Sequence, residues 1–255
     1  MKVRIISKKQ GRLDFVLEDA TPAFANALRR AMISEVPTLA IQYVDFHDNG
    51  SVMFDEVLAH RLGLIPLSFG IGKMNMPDEC KCEGKGCTLC QVVFAAEKTG
   101  PGMLLSGDMK SSHKGVAPLD PNFPIVELLG GQSVRFEAVA SLGTARKHAK
   151  HQAAIVGYQY FVEAEKAKDE ELAGLEDCPS GLAEVRGGKV VILDYFKADM
   201  KKACRLDSYI LQFDENRFIF RVETVSGLAP EDIVLQAAQI LGSKAADFAR
   251  ALKDV

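Results

Sequence analysis

The chain has no tryptophan, and aromatic residues make up only 7% of its 255 positions. A stacking platform for single-stranded nucleic acid depends on such rings and is disfavoured. Basic residues are not in excess: 31 Lys and Arg stand against 34 Asp and Glu, a formal charge of −3, so no global positive field exists to hold a polyanion. No apolar run approaches the roughly 20 residues that span a bilayer. Charges recur from Lys2 and Arg4 onward, leaving no signal-peptide core, and the expectation is a cytoplasmic protein with no membrane partner. A recognisable active site is also missing. His47, His60, His113, His148 and His151 fall in no nucleophile, zinc-protease or phosphate-cradling motif. The glycines at 84, 86, 130, 131, 187 and 188 lack the lysine and helix start of a phosphate loop. No carboxylate cluster is of the kind that holds Mg²⁺ for phosphoryl transfer.

What is present is the composition of a globular protein, 47% hydrophobic and 25% charged, long enough for one large domain or two or three smaller ones. Of six cysteines, four fall at Cys80, Cys82, Cys87 and Cys90, the spacing C-x-C-x4-C-x2-C in one polar stretch. Two adjacent disulfides in so short a segment are sterically awkward and do not persist in a reducing cytosol. Tetrahedral thiolate coordination is the better account, with Gly84 and Gly86 where the backbone must reverse. Four thiolates close the coordination shell, so the expected role is structural, with one Zn²⁺. Free thiols on an unstructured loop are the bland alternative, and an iron–sulfur cluster on the same ligands the chemical one, though its usual spacings differ.

Alternation marks strands at Val3 and Ile5 and at Leu13, Phe15 and Leu17. Thr21-Pro22 then signals a helix start, and Phe24, Ala27, Leu28 and Ala31 form an apolar stripe that ends before Pro37. Leu39 to Val44 reads as a buried strand, and Asp48-Asn49-Gly50-Ser51 as a turn. Asp55 is expected to cap a short helix stopped by Gly63. The cysteine segment runs into the strand Val92 to Ala96. Pro124 to Leu129, Gly130-Gly131 and Val134 to Val139 read as a hairpin, as do Leu182 to Val185 and Val190 to Leu193 around Gly187-Gly188. Between the hairpins, Glu163 to Glu171 mixes both charges in the manner of a linker or exposed helix.

Two further features bear on interaction. Arg146, Lys147, His148, Lys150 and His151 form the one dense basic cluster, either a solvated loop or a docking patch for an acidic surface. After a strand at Phe218 to Glu223, Pro230 opens a long helix in which Val234, Ala238, Leu241, Ala245, Phe248 and Leu252 step by four and three. That seam fits packing on the chain's own sheet or on a partner, and Ile233 and Ile240 widen it enough for both.

The segment from Phe24 through Leu28, Arg29 and Arg30 to Pro37, followed by Ala40-Ile41, resembles the assembly helix of the alpha-type subunits of RNA polymerase. Phe54 to Leu67 resembles a second motif of that family. The cysteine loop is similar to the zinc loop of the third-largest subunit of eukaryotic RNA polymerase II, which has one residue fewer between its second and third cysteines. Ala145 to Lys150 resembles that subunit's basic loop. Across nearly the whole chain the resemblance is to the archaeal branch of the family. It implies an α+β fold: a dimerisation domain of residues 1–46, 158–164 and 209–255, an inserted β-rich domain at 47–157 carrying the metal loop, and a small ferredoxin-like remnant at 165–208.

It further implies a non-catalytic scaffold that pairs with subunit L through Phe24, Leu28, Arg29, Arg30, Val234, Leu241, Phe248 and Leu252. The pair then nucleates assembly with the second-largest catalytic subunit and small assembly subunits, and meets DNA only through the complex. Arg146, Lys147, His148 and Lys150 are the implied docking loop. Many relatives carry iron–sulfur clusters in the third domain, on C-x2-C-x2-C-x3-C. Here that pattern falls on Ala198, Lys201, Cys204 and Ser208, so only Cys204 and the separate Cys178 remain. Two thiolates cannot fill a four-cysteine shell, and a cluster-free remnant is expected. An iron–sulfur electron carrier is the alternative function.

Overall fold

A computed structural model describes residues 1–164, 183–186, 189–192, 196 and 211–253. In chain order the described elements are β1 (Lys2–Lys9), β2 (Arg12–Glu18), α1 (Pro22–Ser34), β3 (Thr38–Asn49), α2 (Asp55–Gly63), β4 (Leu67–Ser68), β5 (Gln91–Thr99) and β6 (Gly102–Leu105). They continue with β7 (Lys110–Ser111), β8 (Ala117–Pro118), β9 (Pro124–Leu128), β10 (Ser133–Gly143), β11 (Ala154–Ala164), β12 (Ala183–Arg186), β13 (Lys189–Ile192), β14 (Leu211–Thr224) and α3 (Pro230–Ala251). The fold is α+β. Two compact units divide the chain, one of residues 1–29 with 156–222 and one of 30–155 with 223–255.

The first unit is built on a four-stranded sheet in the order β1-β2-β14-β11. Every residue of β2 from Leu13 to Leu17 is buried, the pattern of an inner strand covered on both faces. Alternate residues serve alternate faces: Phe15 stacks on Phe220 with ring centroids 5.0 Å apart, whereas Val16 joins Phe161 and Ile219 in a cluster against which Phe196 packs. Asp14, also buried, accepts from Arg12 at 2.7 Å and Arg221 at 3.1 Å. Burial alone would raise the Asp14 carboxyl, but the hydrogen bonds and charges of the two guanidiniums hold it below the usual range. β12 and β13 pair as the expected hairpin, Ala183 opposite Ile192.

The second unit centres on the sheet β3-β10-β5-β7. β10 lies between β3 and β5 and pairs with both antiparallel. Its period-2 pattern buries Val134, Phe136, Ala138 and Ala140, and β5 buries Val92, Phe94 and Ala96. Leu58 and Leu62 of α2 join the same core. Asp55 does not cap α2 as expected: Phe54 takes the cap position, while the Asp55 carboxylate accepts from Asn49 Nδ2 at 2.6 Å.

The expected hairpin of Pro124 to Leu129 with Val134 to Val139 requires correction. Both strands form, but β9 pairs with β6, Leu128 opposite Gly102. β10 has no free edge to offer, since β3 and β5 occupy both sides. Chain proximity and a Gly-Gly turn favour a hairpin only where an edge is open. Gly227 approaches Leu67 so closely that a Cβ would lie 2.1 Å from the Leu67 carbonyl oxygen, so the turn before α3 requires glycine.

Candidate metal centre and helical interface

The cysteine segment leaves a 3-10 turn at Pro77–Glu79 and ends at Cys90, directly before β5. Glu83, Gly84 and Gly86 all have positive φ, at 54, 76 and 90°. These reversals fold the segment back on itself, and glycine supplies two of the three at no steric cost. The Cys87 amide donates to Cys90 Sγ at 3.3 Å, and the Cys90 amide to the Cys87 carbonyl at 3.0 Å, so the last pair forms one tight turn.

All four Sγ atoms lie within 4.8 Å of one another. Cys80 to Cys87 is 3.6 Å, Cys82 to Cys90 3.5 Å and Cys87 to Cys90 3.7 Å. Disulfides would require about 2.05 Å. Tetrahedral thiolates at about 2.3 Å from one ion would stand about 3.8 Å apart, close to what the chain presents. Burial pushes the Cys90 thiol up to about 12, while hydrogen bonding from Cys90 draws Cys82 down to about 7. The donor set can therefore hold one metal ion. Cys178 and Cys204 lie outside the described residues, as does most of the segment expected to form the remnant module.

The basic cluster divides into anchored and outward-facing members. The Arg146 amide donates to the Ser34 carbonyl at the end of α1, at 3.2 Å. Lys147 Nζ pairs with Asp78 Oδ2 at 2.5 Å, and both side chains are exposed. Lys150 is half-buried and donates to the Ile41 carbonyl at 2.8 Å; desolvation lowers its pKa. His151 is buried, with Nδ1 2.8 Å from the Thr38 carbonyl and Nε2 facing Gln42 Nε2. A neutral ring with the proton on Nδ1 satisfies both contacts. A Cβ at position 143 would meet that ring at 2.6 Å, so glycine there makes room for it. In the sequence these residues group by charge alone, and the burial of the last two is not apparent; a Gly-x7-His spacing carries no general signal of it.

In α1 the buried stripe is Ala25, Leu28, Ala31 and Met32, while Phe24, Ala27 and Arg29 are half-buried and Arg30 exposed. Arg29 Nη2 donates to Asn26 Oδ1 at 3.0 Å. In α3 the buried residues are Pro230, Ile233 and Ala237, all in the first half. Val234 and Leu241 are half-buried, and from Gly242 to Lys253 every residue is exposed. Phe248 and Leu252 are 67% and 62% exposed. The own-chain contact therefore centres on Ile233 and Ala237 and reaches Val234 and Leu241 only in part, leaving Phe248 and Leu252 uncovered.

Large apolar side chains thus stand exposed at the end of α3. The RNA polymerase Rpb3/Rpb11 dimerisation domain matches residues 14–245. The chain belongs to this Rpb3/Rpb11 family. Among its relatives, DNA-directed RNA polymerase subunit Rpo3 of Archaeoglobus fulgidus is 35% identical over 261 aligned residues, covering 100% of this chain and 98% of the relative. The same subunit of Methanothermobacter thermautotrophicus is 38% identical, covering 96% of each. That of Pyrococcus furiosus is 36% identical, covering 97% of this chain and 95% of the relative. Within the described residues of this Rpb3/Rpb11-family chain, no helix is long and apolar enough to cross a membrane.

Proposed function

We propose that this chain is a non-catalytic assembly subunit of DNA-directed RNA polymerase, pairing with a smaller subunit of the L or Rpb11 type and presenting the pair to the larger subunits. The observation that carries the reading is α3: its second half, from Gly242 onward, is exposed along its whole circumference while keeping Phe248 and Leu252 at heptad spacing. An isolated helix of that length gains little from propensity alone and depends on tertiary or partner packing. Covering two such large side chains contributes about 1.5–3 kcal/mol each, and the adjoining Val234 and Leu241 extend the same seam. The half-buried Phe24 and the Arg29–Arg30 pair of α1, together with Leu28, are assigned to the same contact.

The proposed division is a dimerisation domain of residues 1–46, 158–164 and 209–255, an inserted β-rich domain of 47–157, and a cluster-free ferredoxin-like remnant of 165–208. Zinc is the ion assigned to Cys80, Cys82, Cys87 and Cys90. When bound it supplies a closed tetrahedral centre that ties together a loop with little core of its own. Arg146, Lys147 and His148 are assigned to docking on another subunit, with Lys150 as their anchor. The large catalytic subunits carry the nucleotidyl transfer, and DNA is met through them.

Co-expression with an L-type subunit followed by native mass spectrometry tests the reading. A one-to-one complex carrying one zinc ion is the expected mass. Two separate proteins would overturn the scaffold assignment.

A further inference from the structure

The chain presents a second apolar surface, remote in sequence from α3. Between β3 and α2, Asn49 forms a compact turn: its Nδ2 donates to the Met53 carbonyl at 2.9 Å and to Asp55 Oδ1 at 2.6 Å, and its Oδ1 accepts from Ser51 Oγ at 2.6 Å. Local bonding therefore sets the direction of the intervening side chains. Val52 is 73% exposed and Phe54 78% exposed, the highest values among the large hydrophobic residues described. Val57, at 46%, continues the apolar surface along α2. A turn held so firmly while displaying a phenylalanine loses little conformational entropy on binding.

Beside this display runs an open groove of about 340 Å³ between β3 and α2, lined by Val44, Asp45, Phe46, Asp55, Glu56 and Ala59, with the Asp45 side chain on the opposite face of β3 from those of Val44 and Phe46. No cation is among its lining residues. Apolar side chains beside the Asp55 and Glu56 carboxylates suit the aliphatic stem and charged head of a lysine or arginine.

We propose that the Val52–Phe54 turn and the adjoining groove form a docking surface for a polypeptide segment of another polymerase subunit, one carrying an apolar side chain flanked by lysine or arginine. It shares no residue with the proposed L-type contact. The inference rests on the assembly reading above. Charge complementarity selects the occupant: a second copy of this chain would bring the same carboxylates into opposition, and an acidic segment would be repelled.

The test uses the purified pair of this chain with its L-type partner, mixed with the remaining polymerase subunits and resolved by size exclusion. Phe54→Asp leaves the pair intact, because position 54 is exposed and aspartate is a favourable helix cap, but it lowers incorporation into the larger assembly at least about tenfold. The variant Glu56→Lys gives a loss in the same direction. A photo-crosslinking benzoylphenylalanine at position 54 yields an adduct to a lysine- or arginine-bearing peptide of a subunit other than the L-type one. Wild-type incorporation of Phe54→Asp, or an adduct confined to this chain, the L-type subunit or a peptide without basic residues, overturns the docking surface. Failure of the unaltered pair to form overturns the assembly reading itself.

Discussion

Lys147 Nζ lies 2.5 Å from Asp78 Oδ2, joining the basic loop to the residue two positions ahead of Cys80, the first of the four clustered cysteines. The adjoining Arg146 amide caps the end of α1 through the Ser34 carbonyl. The metal segment, the basic loop and the end of α1 are therefore consecutive neighbours. The ion pair is exposed on both sides and contributes no more than about 1 kcal/mol.

The pair's weakness leads to the first expectation. Lys147→Ala leaves zinc stoichiometry unchanged, as measured by inductively coupled plasma mass spectrometry, because the four thiolates carry the binding. Cys87→Ser, by contrast, lowers zinc content and increases proteolysis between 77 and 90, since three thiolates no longer close the shell. Undiminished zinc in the cysteine variant would mean that other residues hold the ion.

At the terminal helix, Phe248→Asp leaves the isolated chain's stability within about 1 kcal/mol of the unaltered protein, because surface substitutions rarely cost more. In the complex the same carboxylate is buried without a partner, and affinity for the L-type subunit falls by several kcal/mol, about a hundredfold or more. Leu241→Asp weakens pairing too, but its half-buried position adds a loss of stability in the free chain. Isothermal titration beside thermal denaturation separates the two effects.

His151 makes stability pH-dependent. Its pKa is held below the ordinary 6.5, chiefly by desolvation, so the unfolded chain takes up a proton more readily than the folded one. The associated stability is present above 6.5 and is lost as the pH falls from there toward the lowered folded value. His151→Ala costs about 2–3 kcal/mol at neutral pH, by removing two contacts and leaving a void, and flattens the dependence just below the ordinary histidine value. An unaltered slope in urea titrations of the variant would assign that dependence to other groups.

Asp14 acts in a more acidic window. Its folded pKa lies below the ordinary 3.8, so its contribution is complete above that value and is lost as the pH falls through the folded one. Asp14→Asn leaves Arg12 and Arg221 without their shared carboxylate and costs about 2–3 kcal/mol at neutral pH. The cost shrinks below about pH 4, where the unaltered carboxylate also becomes protonated. Chemical denaturation at neutral and at strongly acidic pH compares the two conditions.

Much of this protein is specified locally and is legible in the residues themselves. Cysteine spacing and two glycines prescribe a four-thiolate cluster because all the ligands lie within eleven residues, so no distant contact is needed to bring them together. A period-2 pattern places β10 and a heptad spacing picks out the seam of α3, because side-chain direction follows from backbone repeat alone. Strand pairing, by contrast, was settled by long-range packing: β9 joins β6 because both edges of β10 are taken by other strands. The same holds for Lys150 and His151, which are anchors within a run that looks uniformly basic, since their burial depends on Ile41, Thr38 and Gln42, more than a hundred residues away. On α3, periodicity allowed either an inward or an outward role for the seam. Packing against the rest of the chain gives the inner contact to Ile233 and Ala237 and leaves Phe248 and Leu252 facing outward, a choice that depends on which neighbours the folded chain supplies and so is written in no local pattern.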